Sequence, residues 1–239
     1  MADDISVMAV LPAGGSGERF GSEIPKQFLE VCGKPVIYYA IKAMSSVLWI
    51  KKIVVPIPQK YADLAMKIKH KYNFTKVEFI SGMETRHRSI HAGVKQLSPN
   101  IKPDDIVIIH DAVRPFLTQD FLTRIVDAAK NHGASGAVRS LVSTIVKSTT
   151  DDFLDVSLDR REYRESHTPQ AFKYKFLKEA YQKCTEDDFL YGTECLLLVQ
   201  KYCNISAKLV DGPEYLWKVT HQKDVMLMEH YIKEKQGEV

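Results

Sequence analysis

Residues 11–28 read LPAGGSGERFGSEIPKQF, which sets Gly14, Gly15, Gly17 and Gly21 beside two cations, Arg19 and Lys26. Glycines let main-chain N–H groups approach an anion closely, and such backbone nests bind phosphate oxygens. Pro25 fixes the backbone just before Lys26, and the two cations suit a multiply charged phosphate group. The stretch is not a Walker loop, because it has no Gly-Lys-Ser/Thr. It is not a dinucleotide fingerprint either. Phe20 stands where a third glycine belongs, and no acidic residue closes a clear second strand about twenty residues later. A plain structural turn would account for the glycines but not for both cations.

A second group is HDAVRP at 110–115, directly after the apolar run Ile106 to Ile109. An aspartate at a strand end can ligate Mg²⁺, which takes carboxylate together with phosphate oxygens. Arg114 could pair with a substrate phosphate, or with Asp111 simply to hold the loop. In METRHRSIHAG (83–93), Arg86 and Ser89 lie three apart and share a face near a helix N-terminus. His87 and His91 have a spacing that a metal could use. No third ligand lies nearby in sequence, so a solvated pair is the expectation. Thr144, Asp159, Arg160, Arg161, Thr168 and Lys218 complete the polar candidates, each unremarkable alone. No Ser–His–Asp order, zinc quartet or paired-carboxylate spacing stands out. A glycine loop, several cations and one strand-end aspartate support phosphate chemistry, which works by alignment and by stabilising the charge that develops at phosphorus.

Such residues need elements that carry distant loops to one place. Strand-like runs at 5–11, 53–58, 77–80 and 105–111 alternate with helical patterns at 35–48, 61–72, 86–97 and 119–132. Repeated strand–helix units of this length predict right-handed crossovers and a mostly parallel α/β sheet covered on both faces. Ligands of such sheets gather beyond the carboxyl ends of the strands, where the glycine loop and HDAVRP both fall. After about residue 140 the rhythm changes. SLVSTIVKST and FLDVSL, separated by the turn Thr150-Asp151-Asp152, predict a β-hairpin arm at about 141–163. Helices at 174–184 and 193–202, a strand at 206–210 and a last helix from Gln222 follow. With no repeat, linker or low-complexity tract, 1–239 reads as a single domain.

Composition narrows the class. The 239 residues are 45% hydrophobic and 26% charged, which is globular rather than disordered. The longest apolar runs are too short to span a bilayer, and the acidic start Met-Ala-Asp-Asp is not a secretory signal. A soluble, cytosolic protein is therefore expected. The net charge of +3 suits a small anionic substrate and does not argue for nucleic acid. KIKHK at 67–71 reads as a solvated helix face. Cys32, Cys184, Cys195 and Cys203 form no CxxC pair and are expected as reduced thiols.

Taken in order, LPAGGSGERFGSEIPKQF, TRHRS, HDAVRPF, TPQAF and LWKVT resemble the cytidylyltransferase family that couples CTP to small alditol phosphates, from about Val7 to Lys233. The spellings HDAVRPF, LVSTIV, HGASGAVR, YGTECLLL, KYC and LWKVT look most like its animal ribitol phosphate group, which supplies CDP-ribitol for dystroglycan glycosylation. The methylerythritol phosphate group of isoprenoid synthesis typically has HDAARP, and a Thr-Asp-Glu run where this chain has Thr193-Glu194-Cys195. Animal members often carry a further C-terminal domain, and this chain stops where the catalytic part is expected to end.

The resemblance implies a three-layer, Rossmann-like fold of the nucleotide-diphospho-sugar transferase type. It implies that the backbone at Ala13, Gly14, Gly15 and Gly17 cradles CTP, with Arg19 on the outer phosphates and Lys26 and Lys218 flanking the α-phosphorus. Asp111 is expected to hold Mg²⁺ or another divalent cation, and Glu84, Arg86 and Ser89 to line the cytidine side. Arg114, Thr144, Arg160 and Thr168 are expected to bind the alditol phosphate. The arm is expected to clasp a second copy, so that Thr144 and Arg160 serve the neighbouring site of a homodimer. Two alternatives stay open. One is the same chemistry on 2-C-methyl-D-erythritol 4-phosphate. The other is a catalytically silent nucleotide-binding scaffold, since fold alone does not imply activity.

Overall fold

The computed structural model describes residues 5–14 and 24–237. In chain order the first elements are β1 (Val7–Val10), the short pair β2 (Glu30–Val31) and β3 (Lys34–Pro35), α1 (Val36–Ser45), β4 (Ile50–Ile57) and α2 (Ala62–Lys71). They are followed by β5 (Val77–Ser81), α3 (Arg86–Leu97), β6 (Ile106–Ile109), α4 (Gln119–His132) and β7 (Ala134–Ser140). Then come β8 (Ile145–Ser148), β9 (Leu154–Leu158), β10 (Arg164–Lys173), α5 (Tyr174–Lys183), α6 (Glu186–Tyr191), α7 (Cys195–Cys203), β11 (Lys208–Asp211) and α8 (Gln222–Gln236).

One sheet runs β11-β7-β10-β6-β1-β4-β5. Its pairings are parallel except at β10, which is antiparallel to both β6 and β7. The chain moves outward from β1 to β4 and β5, then returns to place β6 on the other side of β1. That reversal opens a crevice beyond the carboxyl ends of β1 and β6. The expected mostly parallel α/β sheet is present, and β8 and β9 pair apart from it as the expected hairpin. Among the described residues, no helix is long and apolar enough to cross a membrane.

The strand residues alternate between two cores, as side chains of a strand buried on both faces must. Val7, Ala9, Ile106 and Ile108 pack with α1, α2 and α4 on one face. Met8, Val10, Val107 and Ile109 pack with α3, α5 and α7 on the other. A third cluster of Val36, Val113, Val219, Met228 and Ile232 seats α8 against the loop after β6. Local signals set the helix ends. The Thr85 and Thr118 side chains accept the Arg88 and Phe121 N–H groups at the starts of α3 and α4, and Gly133 ends α4 at φ 89°.

Two strands depart from the sequence pattern. β7 reads ASGAVRS, small because Gly136 lies under Leu196, where an added Cβ would be 2.5 Å from its Cδ1. β10 reads RESHTPQAFK, a polar and proline-containing run with no apolar alternation outside its last residues. It is held as a strand by partners on both sides rather than by its own propensity.

α3 approaches β1 closely because Gly93 faces Val10. A Cβ at Gly93 would lie 2.4 Å from Val10 Cγ1 and 3.4 Å from Pro56 Cγ. Overpacking of about 1–3 kcal/mol should therefore outweigh the helix gain of about 1 kcal/mol from Gly to Ala. Gly93→Ala is expected to lower the urea midpoint, and a raised midpoint would show that α3 can retreat.

Candidate active site

The loops leaving β1 and β6 meet the N-terminal end of α3 around a cavity of about 450 Å³. Of the expected residues, Ala13, Gly14, Lys26 and Glu84 line it, together with Arg86, Ser89, Asp111 and Lys218. Gly15, Gly17 and Arg19 lie outside the described residues. The start of the glycine loop is pinned from two directions. Ala13 N–H donates to the Pro56 carbonyl at 2.9 Å, and the Ala13 carbonyl accepts from Gln27 Nε2 at 2.7 Å. Lys26 and Gln27 belong to one 3₁₀ turn, entered through Pro25 at φ −58°, so the same turn that presents the lysine also anchors the loop.

Asp111 is the centre of the charge pattern. Its carboxylate takes Arg86 Nη2 at 3.1 Å on Oδ1 and Lys218 Nζ at 3.0 Å on Oδ2, with Arg114 Nε at 3.5 Å from Oδ2. Burial pushes the Asp111 pKa upward, but the charges of Arg86, Lys218 and Arg114 outweigh it and hold the group far below the ordinary carboxylate range. The same balance acts on Arg86, where burial opposes the charge and Asp111 reverses the outcome, raising its pKa. For Arg114 burial wins over Asp111 and lowers the value, yet a guanidinium stays protonated at any ordinary pH.

Arg86 also donates to the Thr193 carbonyl at 3.3 Å and lies 4.0 Å from Cys195 Sγ. Burial raises the Cys195 and Tyr181 pKa values, so both are neutral neighbours of this cation. Ser89 lines the cavity as expected and also braces the loop before α3. Its hydroxyl accepts the Met83 N–H at 2.9 Å and donates to the Met83 carbonyl at 3.1 Å, which closes the loop into α3 and fixes the wall on which Glu84 and Thr85 sit.

Two expected alditol-phosphate ligands, Arg114 and Thr168, are buried beside Asp111 and are not among the residues that line the cavity. Arg114 is buried, pairs with Asp111, and donates to His167 Nδ1 at 2.8 Å and to the Leu216 carbonyl. The Asp–Arg pair, one of its two sequence readings, is present. Thr168 is also buried, its hydroxyl lying 3.0 Å from Asp111 N and 3.1 Å from His110 Nδ1. Thr144 and Arg160 are exposed on the arm and do not line this cavity, and Arg160 donates to the Val142 carbonyl.

The histidine pair of α3 is packed rather than fully solvated, contrary to expectation, with His91 half-buried. His87 is buried with Nδ1 3.0 Å from the Tyr181 hydroxyl, and His91 stacks on the Tyr181 ring at 4.9 Å. Burial brings each down to about 4, with Arg86 adding to the effect at His87 and Lys95 at His91, so both rings are neutral packing groups. Gln27, His110, Tyr181 and Cys195 are the residues that sequence reasoning passed over. Gln27, His110 and Cys195 stood inside quoted spellings, whereas Tyr181 carried no local signal.

Comparison with known proteins fits this geometry. A family profile described as 2-C-methyl-D-erythritol 4-phosphate cytidylyltransferase, IspD, matches residues 7–234. The chain belongs to this cytidylyltransferase family. It is 49% identical over 231 residues, covering 94% of this chain, to a D-ribitol-5-phosphate cytidylyltransferase of Xenopus tropicalis. It spans 56% of that relative's length. It is 34% identical to a 2-C-methyl-D-erythritol 4-phosphate cytidylyltransferase of Syntrophus aciditrophicus, with 98% of both chains covered. The crystal structure of 4-diphosphocytidyl-2C-methyl-D-erythritol synthase from Anaerococcus prevotii aligns with TM-score 0.82 at 26% identity, over 97% of this chain and all of that one.

Removing the Asp111 charge should leave its cations facing one another. Asp111→Asn is expected to cost about 3 kcal/mol or more at pH 7. The folded pKa of Asp111 is depressed, so its contribution is complete above the unfolded carboxylate value of about 4 and drains away as pH falls below that. The stability gap between parent and variant should therefore narrow on acidification. A gap independent of pH would assign the loss to something other than this charge.

Proposed function

We propose that this chain carries the catalytic unit of a D-ribitol-5-phosphate cytidylyltransferase, joining CTP and D-ribitol 5-phosphate to give CDP-ribitol and pyrophosphate. The observation that carries the reading is the convergence of Lys26, Lys218, Arg86 and Asp111 on one cavity at the sheet's switch point. The choice of acceptor is supported by 49% identity to the ribitol phosphate enzyme against 34% to the methylerythritol phosphate one.

In this reading the alditol phosphate oxygen, already ionised at neutral pH, attacks the α-phosphorus of CTP. The bond to the β-phosphate oxygen breaks and pyrophosphate leaves. No general base or covalent intermediate is required, so catalysis rests on alignment and on stabilising charge at phosphorus. Lys26 and Lys218 supply that charge from two sides, and the backbone at Ala13 and Gly14 receives the triphosphate. Ser89 acts indirectly by fixing the Met83 loop, whose main-chain groups face the cytidine. Arg114 acts by holding Asp111 and the Lys218 loop together.

The site suits a divalent cation in one specific sense. Among the described residues no cluster of three ligating side chains forms a protein-only site, but one carboxylate such as Asp111 is enough for Mg²⁺, which takes its remaining ligands from phosphates and water. Asp111 would hold it, and the cation would neutralise charge on the triphosphate. For that, Arg86 and Lys218 must release part of the carboxylate.

The arm supports a homodimer. Val142, Phe153 and Leu154 are 83%, 73% and 68% exposed, an apolar surface that a single copy leaves in water. The partner's Thr144 and Arg160 would complete each alditol-phosphate subsite.

Pyrophosphate release with CTP, Mg²⁺ and each alditol phosphate tests the acceptor. At least tenfold higher kcat/KM is expected for D-ribitol 5-phosphate, and a preference for 2-C-methyl-D-erythritol 4-phosphate would overturn the choice. No release with either would favour a silent scaffold. Co-expressed Lys26→Ala and Arg160→Ala chains test the dimer. Each homodimer should be impaired, whereas the mixed dimer should regain activity from its one intact site. No recovery would place Arg160 in the site of its own chain.

A further inference from the structure

His110 is fully buried and does not line the cavity, yet its ring is held at both nitrogens. Nε2 lies 2.9 Å from the Arg114 carbonyl, which can only accept, so Nε2 carries the proton. Nδ1 is then an acceptor, and the group 3.1 Å from it is the Thr168 hydroxyl, which must donate. That orientation turns a lone pair of the same oxygen toward the Asp111 N–H, 3.0 Å away. The result is a directed chain, from Asp111 N–H to Thr168 O–H to His110, and from His110 Nε2–H to the Arg114 carbonyl.

The chain closes around the residue that carries the site's carboxylate. His110 N–H continues the sheet by donating to the Val10 carbonyl at 3.1 Å, and the Asp111 carbonyl accepts from Arg114 N–H at 3.0 Å. With its own N–H held by Thr168, Asp111 has both flanking peptides fixed. Its side chain leaves the strand end in one direction, toward Arg86 and Lys218. Thr168 belongs to β10, so the device also ties the antiparallel strand to the loop after β6.

We infer that His110 and Thr168 are a positioning pair, in which the His110 ring orients the Thr168 hydroxyl to hold the Asp111 backbone and thereby aim its carboxylate at the two cavity cations. The Thr168 hydrogen is then committed to His110, so toward an alditol phosphate this hydroxyl would act only as an acceptor, from a sugar O–H. A second layer of fixed hydrogen bonds is what keeps a reacting constellation in its productive geometry.

Thr168→Val keeps the shape and packing of the side chain but removes the hydroxyl, whereas Thr168→Ser keeps the hydroxyl and removes the methyl. If the pair positions Asp111, Thr168→Val should lower kcat at least tenfold with KM for CTP within about threefold, while Thr168→Ser should restore most of kcat. A purely structural threonine predicts instead that kcat follows the thermal midpoint across both variants, and that pattern would overturn the inference. A large rise in KM for the alditol phosphate with kcat kept, in Val alone, would return the hydroxyl to substrate binding.

The kinetic arm rests on the proposed reaction, so a second measurement is independent of it. ¹⁵N NMR of the unliganded, histidine-labelled protein near neutral pH reads the tautomer of each of its eight histidines, with His110 assigned by comparison with His110→Gln. The expected His110 signature is a protonated Nε2 and a bare Nδ1. A protonated Nδ1 would reverse the chain and refute the inference, whatever the enzyme's substrate.

Discussion

A carboxylate buried among three cations organises this end of the molecule. Asp111 is reached by Arg86 from α3, by Lys218 from the loop before α8, and by Arg114 from its own loop. These groups come from positions 25 and 107 residues apart in the chain, so the interaction exists only once the sheet has formed. Burying any one of the charges alone would be costly, and together they offset one another. Helix, strand end and C-terminal loop are thus tied at the point where the proposed chemistry occurs.

The surrounding fold is arranged to keep that point fixed. β1 and β6 are buried on both faces, and Gly93 brings α3 within contact of Val10, so Arg86 enters from a helix that cannot easily slide. On the opposite side, Val113 packs with Val219 and Met228, while Val219 N–H donates to the Val113 carbonyl at 2.9 Å. Lys218 therefore sits one residue from a direct backbone tie to the Asp111 loop. Packing and this backbone tie hold the segments that carry the charged groups.

Much of this could be read from the residues alone, and the limits have physical reasons. The Arg86–Leu97 and Gln119–His132 helices match the sequence pattern because amphipathic spacing, caps and packing agree there. That Asp111, Lys26 and Gly14 would meet was legible, because loops at the carboxyl ends of neighbouring strands converge, and all three line one cavity. β10 was not, since its strand state comes from two neighbours and not from its polar sequence. The same gap hid the use of Thr168, whose hydroxyl is committed by a histidine 58 residues away. The roles of Tyr181 and Cys195 were invisible for a like reason, because a neutral group that flanks an arginine leaves no mark of spacing or charge.

The caged carboxylate also bears on how a charged nucleotide could enter. Arg86 and Lys218 already stand beside an anion, so they are oriented before any ligand arrives. A phosphate oxygen approaching them would exchange one anionic partner for another, with the cations already oriented. Asp111 would in turn be freed to share a divalent cation with that phosphate. The free-state lock and the proposed working state then use the same charges in two pairings, and the backbone held by Thr168 and His110 is what both pairings have in common.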